Sequence, residues 1–170
     1  PDMRVIVRAP YQASGSYIEQ FIADRTDWIV EHLRKLEQKN RQCNDALPVK
    51  KLSNDELKKL ADKACSYIPG RVAHFAPLVG VTYGRITIRN QRTRWGSCSS
   101  KGNLNFNCLL MLTPPEVIDY VVVHELCHRK EMNHSGRFWD EVARVLPGYA
   151  EQEKWLKTHG SEIMKRMTGE

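Results

Sequence analysis

Apolar residues recur at two different spacings in the first third of the chain, and each spacing predicts a different element. Residues 3–9 alternate between apolar and polar side chains, which predicts a strand that ends before Pro10. From Ser16 onward, apolar residues follow at helical spacing, and a Glu three positions after Ser16 completes a capping box. This pattern predicts one helix that continues to about Gln38, followed by a polar linker at residues 39–51.

A second capping-box pattern, formed by Ser53 and Glu56, starts the next predicted helix. We expect this helix to end near Pro69, because proline and the glycine after it interrupt helices. A further short helix is predicted at residues 71–78.

After residue 80, two predicted strands are followed by predicted helices. Residues 81–88 and 103–112 are predicted strands, joined by a turn-rich connection. Thr113 is the predicted N-cap of a helix, because two prolines and a glutamate follow it. The last predicted helix runs from about Tyr149 to Met167.

The order of these elements predicts the fold class. Helices and strands are intermixed without regular alternation, which favours an α+β fold over a doubly wound parallel sheet. We predict two regions: residues 1–52, whose strand, helix and linker pack on the core, and residues 53–170, which form the main domain.

The composition indicates a globular protein that can bury a core, since 41% of the 170 residues are hydrophobic and 27% are charged. No apolar run approaches the roughly 20 residues of a membrane helix, so we expect no membrane partner. The chain has no Cys-x-x-Cys pair and does not begin with a signal-peptide pattern, which predicts reduced thiols and a cytoplasmic location. Its five scattered cysteines are Cys43, Cys65, Cys98, Cys108 and Cys127.

Positive charge is concentrated in one stretch. The formal net charge is +6, and residues 80–115 contain five basic residues and no acidic one. The run from Arg85 to Lys101 is either a solvated strand face or a site for an anionic group: a peptide carboxylate, a nucleic acid backbone or a nucleotide. The candidate substrate-binding residues are Arg92, Arg94, Asn103 and Asn105.

The strongest chemical signal is the sequence His-Glu-Leu-Cys-His on the helix that begins after Thr113. His124 and His128 are four residues apart, so they lie on the same helix face and can bind one metal ion. Glu125 lies beside that face, where a carboxylate can act as general base on a metal-activated water without binding the metal. The alternative is two ordinary, partly buried histidines.

A catalytic zinc site usually has three protein ligands. His134 is the leading third ligand, and Asn133 could adopt the left-handed conformation that turns the chain towards the metal. Glu131 stands where metzincins have glycine, so the spacing does not indicate a metzincin. A downstream carboxylate, Glu141 or Glu151, is the rival ligand, and the remaining alternative is that His134 is a surface residue before a helix.

Three motifs occur in order: Arg-Trp-Gly-Ser-Cys at residues 94–98 with two asparagines after it, His-Glu-Leu-Cys-His-Arg-Lys-Glu-Met-Asn-His-Ser at 124–135, and Phe-Trp at 138–139. Together they resemble the YgjP-like family of small zinc metallopeptidases, relatives of the SprT-like and minigluzincin proteins. The resemblance covers most of the chain.

The family resemblance implies a zincin-like core: a small mixed or antiparallel sheet, an active-site helix that carries H-E-x-x-H, and flanking helices. It also implies that His124, His128 and His134 bind zinc, although other divalent metals can occupy such sites, and that Glu125 is catalytic. Cys127 lies inside the motif at a position where a small apolar residue would be unremarkable, and we expect its side chain to pack in the core.

Three functions are consistent with these features. The favoured one is a metallopeptidase, in which the strand at 103–112 forms a sheet edge that aligns an extended peptide. The second is a nucleoside triphosphate pyrophosphatase, in which Arg92 and Arg94 neutralise phosphates; the preference of three histidines for zinc over magnesium counts against it. The third is a DNA-associated metalloprotease whose basic stretch binds phosphates. The oligomeric state is not predicted.

Overall fold

The computed structural model describes residues 5–44 and 50–168, with side chains at 5–35 and 50–167. The chain divides into two compact units between Leu47 and Pro48, whereas the division predicted after residue 52 stays a prediction. The first unit contains α1 (Gly15–Ala23) and α2 (Thr26–Asn44). The second contains, in order, α3 (Asn54–Val79), β1 (Ile86–Arg89), β2 (Gly96–Cys98), β3 (Leu104–Asn107), a 3₁₀ helix (Cys108–Leu112), α4 (Pro115–Cys127), α5 (Gly136–Val145) and α6 (Tyr149–Thr168).

The first unit departs from the predicted elements. Residues 5–9 are exposed and have no regular secondary structure, because no described strand pairs with them, so the strand prediction is wrong there. The predicted single helix is two helices, and Ser14 rather than Ser16 caps the first: its hydroxyl accepts a hydrogen bond from the Tyr17 N–H at 3.3 Å. The predicted linker begins too early, since α2 continues to Asn44, and residues 45–49 lie outside the described residues.

Helix α3 confirms the second capping box but not the predicted end. Ser53 and Glu56 exchange side-chain and backbone hydrogen bonds of 2.8 and 3.2 Å. The helix continues through Pro69 and ends only at Gly80, which has φ of 80°. An internal proline costs about 3 kcal/mol, whereas each large side chain buried along this helix contributes about 1.5–3 kcal/mol. Packing therefore outweighs the local break; the buried side chains are Ala64, Ile68, Val72, Phe75, Ala76 and Val79.

The three strands form a mixed sheet in the order β1-β3-β2, in which β3 pairs parallel with β1 and antiparallel with β2. The mixture of helices with this small sheet confirms the α+β class. Both predicted strands were too long, since β1 begins at Ile86 and β3 ends at Asn107. Because β3 lies in the centre of the sheet, the prediction that it offers a free edge is wrong; the edge strands are β1 and β2.

Helix α4 lies in the centre of the second unit, between α3, β2, α5 and α6. Nine of its thirteen residues are buried, so it is apolar on nearly all sides. Its N-cap is Pro114 rather than Thr113, whose hydroxyl instead donates to the Leu110 carbonyl at 2.8 Å. Two hydrogen bonds of 2.6 and 2.8 Å between Arg71 and Asp119 tie α3 to α4.

None of the helices in the described ranges combines the length and apolarity that a membrane span requires.

Candidate active site

Three histidines converge at the C-terminal end of α4. His124 and His128 lie on the last turns of the helix, and His134 approaches from the segment before α5. Their ligand nitrogens all lie within 4.8 Å of one another, and the Nε2 atoms of His124 and His134 are 3.0 Å apart. The structure thus brings together the three residues predicted as metal ligands.

The chain reaches His134 by a different turn from the one predicted. After α4, the N–H groups of Arg129 and Lys130 donate to the carbonyls of Leu126 and Cys127 at 3.0 and 2.9 Å, which tightens the last turn. Among the described residues, no non-glycine residue has a positive φ, so Asn133 is not left-handed. A tight turn with ordinary backbone angles brings His134 back to the helix.

The two rival carboxylates lie outside this cluster. Glu141 Oε2 accepts hydrogen bonds of 2.9 Å from both Lys130 and Arg144, which hold the pKa of its carboxyl below the ordinary value. Glu151 is exposed in the first turn of α6. The described residues therefore offer His134, and neither carboxylate, as the third ligand.

Burial favours the neutral form of two of these imidazoles, His124 and His128. Burial, followed by the charges of the other two histidines, lowers the pKa of His124 to about 3, and burial also lowers the pKa of His128. His128 Nδ1 lies 3.1 Å from the Glu131 carbonyl, which can only accept, so Nδ1 holds the proton and Nε2 keeps a lone pair.

A zinc ion fits this donor set. Zinc binds neutral imidazole nitrogens, and three protein ligands are usual when a fourth position serves catalysis. Within the described structure, His124 Nδ1 is buried without a hydrogen-bond partner. The ring centroid of the fully buried Phe138 lies 4.7–4.9 Å from those of all three imidazoles and closes one side of the cluster.

Glu125 is buried against the first residue of β2. Its exposure is only 5%, and this burial raises its pKa to about 8. A Cβ atom built on Gly96 would lie 2.6 Å from Glu125 Oε1. The glycine therefore provides the space that the carboxylate occupies, and β2 sets the side chain's position.

A cavity of about 250 Å³ opens beside His124 and Glu125. One side is a face of α4, called here the helix wall, made by Tyr120, Val121, His124 and Glu125. The facing side, called here the loop wall, consists of Thr93, Arg94, Trp95 and Gly96, and Leu156 of α6 completes the lining. Larger but more open hollows lie at residues 50–56 and beside Arg129, and neither is lined by the histidine cluster found among the described residues.

The four predicted substrate-binding residues are not all at this cavity. Arg94 lines it, and Arg92 is exposed on the same loop. Asn103 instead accepts a hydrogen bond from the Arg85 N–H at 3.0 Å, and Asn105 donates to Ser97 Oγ at 3.2 Å, so both asparagines make contacts within the sheet.

Several residues that line the cavity were not recognised as site residues from the sequence, among them Tyr120 and Gly96. Tyr120 precedes His124 by four residues and so shares its helix face, a relation that helical spacing could have revealed. Gly96 belonged to a recognised motif, but only the proximity of β2 to α4 shows why it has no side chain. Tyr120 also extends a row of stacked rings that continues through Tyr149 and Trp139 to His134.

The chain is similar to two solved structures of metallopeptidase zymogens. Among solved structures, the metallopeptidase zymogen abylysin of Pyrococcus abyssi is 27% identical with a TM-score of 0.50, and the match covers 54% of this chain and 92% of that one. The metallopeptidase zymogen jannalysin of Methanocaldococcus jannaschii is 21% identical with a TM-score of 0.48, over 54% of this chain and 94% of that one. A search of the curated proteins gives no match.

The protein-family model of the YgjP-like metallopeptidase domain matches residues 45–159 of this chain, which are 115 of its 170 residues. This match includes the three histidines, Glu125 and both walls of the cavity. The chain therefore belongs to the YgjP-like family of metallopeptidases, which are metal-dependent hydrolases.

Proposed function

We propose that this protein is a zinc-dependent peptidase in which His124, His128 and His134 hold the metal and Glu125 is the general base. The observation that supports it most directly is the convergence of three imidazoles beside a buried carboxylate at the edge of a cavity. None of the three histidines forms an ion pair with a carboxylate among the described residues, so an ion-pair network does not explain the cluster.

A zinc ion bound by these imidazoles supplies Lewis-acid chemistry, which polarises a carbonyl and lowers the pKa of water. Glu125 accepts the proton of the attacking water and passes it to the leaving amine. Without a cation its carboxyl has a pKa of about 8, but a positive charge at the histidines favours the carboxylate form that a base requires. Burial thus makes Glu125 dependent on the metal for its activity.

The substrate would lie along β2. This strand is at the edge of the sheet, antiparallel to β3, and its first residue lines the cavity next to Glu125. An extended peptide can add to such an edge through backbone hydrogen bonds, independently of its side chains. We place the peptide at β2 instead of the strand favoured by the sequence, because β3 is paired on both sides.

The test is cleavage of a mixed-sequence peptide library by the zinc-loaded protein, followed by mass spectrometry. Glu125→Gln keeps the shape of the side chain and removes the base, so we expect zinc content to be retained and kcat to fall by about 10²–10⁴-fold. Glu116→Gln, an exposed site in the first turn of the same helix, is the matched control and should keep full activity.

Two results would contradict the proposal. Unchanged turnover in Glu125→Gln would remove the base assignment. Glu125-dependent release of phosphate or pyrophosphate from nucleoside triphosphates, with no peptide cleaved, would make the protein a nucleotide hydrolase.

A further inference from the structure

Apart from Gly96, which begins β2, the loop wall has no regular secondary structure, yet a single buried side chain holds it. Asn107, at the end of β3, has no exposed surface. Its Nδ2 donates to the carbonyls of Gln91 and Arg94 at 2.6 and 2.9 Å, so one amide group fastens both ends of the segment 91–94.

The other polar groups of Asn107 are also used. Its backbone N–H donates to the Trp95 carbonyl at 2.8 Å, and its Oδ1 accepts from the Leu109 N–H at 3.1 Å. The side chain of Asn107 is buried, and both of its polar atoms have hydrogen-bond partners, so it has one orientation. The loop that it binds is therefore held in one position facing α4. The loop wall is therefore preorganised by Asn107, although Thr93 and Arg94 are exposed.

This fixed loop carries unpaired positive charge. Arg92 and Arg94 are exposed, and neither forms an ion pair with any residue in the described ranges. No acidic residue occurs between positions 80 and 115. Arg94 borders the cavity that Glu125 and His124 line from the other side. A guanidinium so placed is available to an anionic group that enters the cavity.

We propose that the loop wall selects peptides with an acidic side chain next to the scissile bond, with Arg94 as the contact and Asn107 as its positioning residue. This inference rests on the proposed peptidase function. Arginine binds a carboxylate through two parallel hydrogen bonds, which gives directional selectivity as well as charge attraction. Since the loop continues directly into β2, a peptide on that edge passes Arg94 as it approaches Glu125.

A phosphate would satisfy the same guanidinium, but the neighbouring chemistry favours a peptide. Nucleotide hydrolysis commonly uses magnesium, which binds oxygen ligands. The metal-binding cluster found within the described ranges consists of histidine nitrogens alone.

The experiment compares kcat/KM for paired peptides that differ only by Asp or Asn, placed in turn at each position around the cleavage site that the library identifies. For the wild type we expect about a tenfold preference for Asp at one position, the size of one charge-assisted contact. Arg94→Ala should abolish this preference, and Arg94→Lys should retain part of it. Arg94→Glu should reverse the charge preference, so that a peptide with Lys at the same position becomes the better substrate. Arg85→Ala, an exposed arginine outside the cavity lining, is the matched control and should keep the wild-type ratio.

Asn107→Asp tests the positioning residue. It keeps the oxygen that accepts from Leu109 but loses both donors to the loop carbonyls. We expect KM for the Asp peptide to rise and the Asp preference to shrink, with zinc affinity and kcat for the Asn peptide retained. A general loss of structure would lower kcat and zinc affinity together, and the exposed Arg94 variants test the inference even where Asn107→Asp does not fold.

The outcomes separate the two proposals. Peptide cleavage with equal kcat/KM for Asp and Asn at every position would overturn the acidic selectivity and leave the peptidase function standing. Cleavage of no peptide would overturn the peptidase function itself. Arg94-dependent phosphate release from nucleoside triphosphates would assign the arginine to phosphate and overturn the inference.

Discussion

The helix wall and the loop wall face the same cavity but are built in different ways. The helix wall belongs to α4, which buries nine of its thirteen residues and presents His124 and Glu125. The loop wall is irregular up to Trp95 and exposes Thr93 and Arg94, and the hydrogen bonds of one asparagine hold it in place.

This contrast suits the role proposed for each wall. Groups that hold a metal and move a proton must stay within fractions of an ångström of their working geometry, which a packed helix provides. Groups that receive a substrate must remain exposed, so the order of the loop wall comes from an anchor behind it. We therefore expect changes in the helix wall to stop the chemistry and changes in the loop wall to alter the substrate.

The largest effect should come from the metal ligands. His124→Ala removes the most buried imidazole of the cluster, so we expect bound zinc and peptidase activity both to fall to background. Zinc content by mass spectrometry and peptide turnover measure this, with His159→Ala, an exposed histidine on α6, as the control. Retained stoichiometric zinc in His124→Ala would show that the metal lies elsewhere.

The contact between the two walls can be tested at Gly96. Gly96→Ala adds a Cβ atom that would lie only 2.6 Å from the present position of Glu125 Oε1, so the carboxylate has to move. Displacing a catalytic group by about 1 Å costs about 10²-fold, so we expect kcat to fall by that order with zinc still bound. Gly148→Ala, where a Cβ atom meets nothing within 4 Å, should keep wild-type kcat. Equal activity of the two variants would mean that β2 does not position Glu125.

The buried carboxyl of the helix wall predicts a pH dependence of the metal-free protein. Below pH 4.5, Glu125 is protonated in both the folded and the unfolded state. Between pH 4.5 and about 8 the unfolded state has lost this proton while the folded state retains it, so the free energy of unfolding falls as pH rises.

Glu125→Gln has no proton to lose in the unfolded state. Its free energy of unfolding should therefore rise relative to that of the wild type across this pH interval, by roughly a few kcal/mol. Urea unfolding in the presence of a chelator at pH 5, 6.5 and 8 measures the difference. Parallel pH profiles for the two proteins would show that Glu125 is more solvated than the fold indicates.

The smallest effect should come from the anchor on the far side of the helix wall. Arg71→Ala leaves Asp119 half-buried without its two hydrogen bonds, and we expect a loss of about 1–3 kcal/mol in the free energy of unfolding with kcat unchanged. Lys157→Ala breaks an exposed pair with Glu153 and should cost less than about 0.5 kcal/mol. A fall in kcat for Arg71→Ala would mean that this anchor also shapes the site.

The histidine cluster was largely predictable, because two of its members and Glu125 are neighbours along α4. The four-residue spacing of His124 and His128 places both on one face wherever the helix packs, and Glu125 is beside them for the same reason. His134 joins them as predicted, although the turn does not use Asn133 as expected. The end of α3 was not predictable from local signals, since burial of its far half outweighs Pro69.

The loop wall was not predictable, because its partners are distant in the sequence. The arginine-rich stretch indicated an anionic partner, but only the pairing of β2 with β3 brings Arg94 towards α4 and leaves Asn103 and Asn105 within the sheet. Asn107 looked like one more polar residue on a strand, and its role depends on carbonyls 13 and 16 residues away. Spacing along α4 was enough to predict that His124, Glu125 and His128 lie together, whereas the position of the loop wall depends on hydrogen bonds and strand order that form only when separate segments pack together.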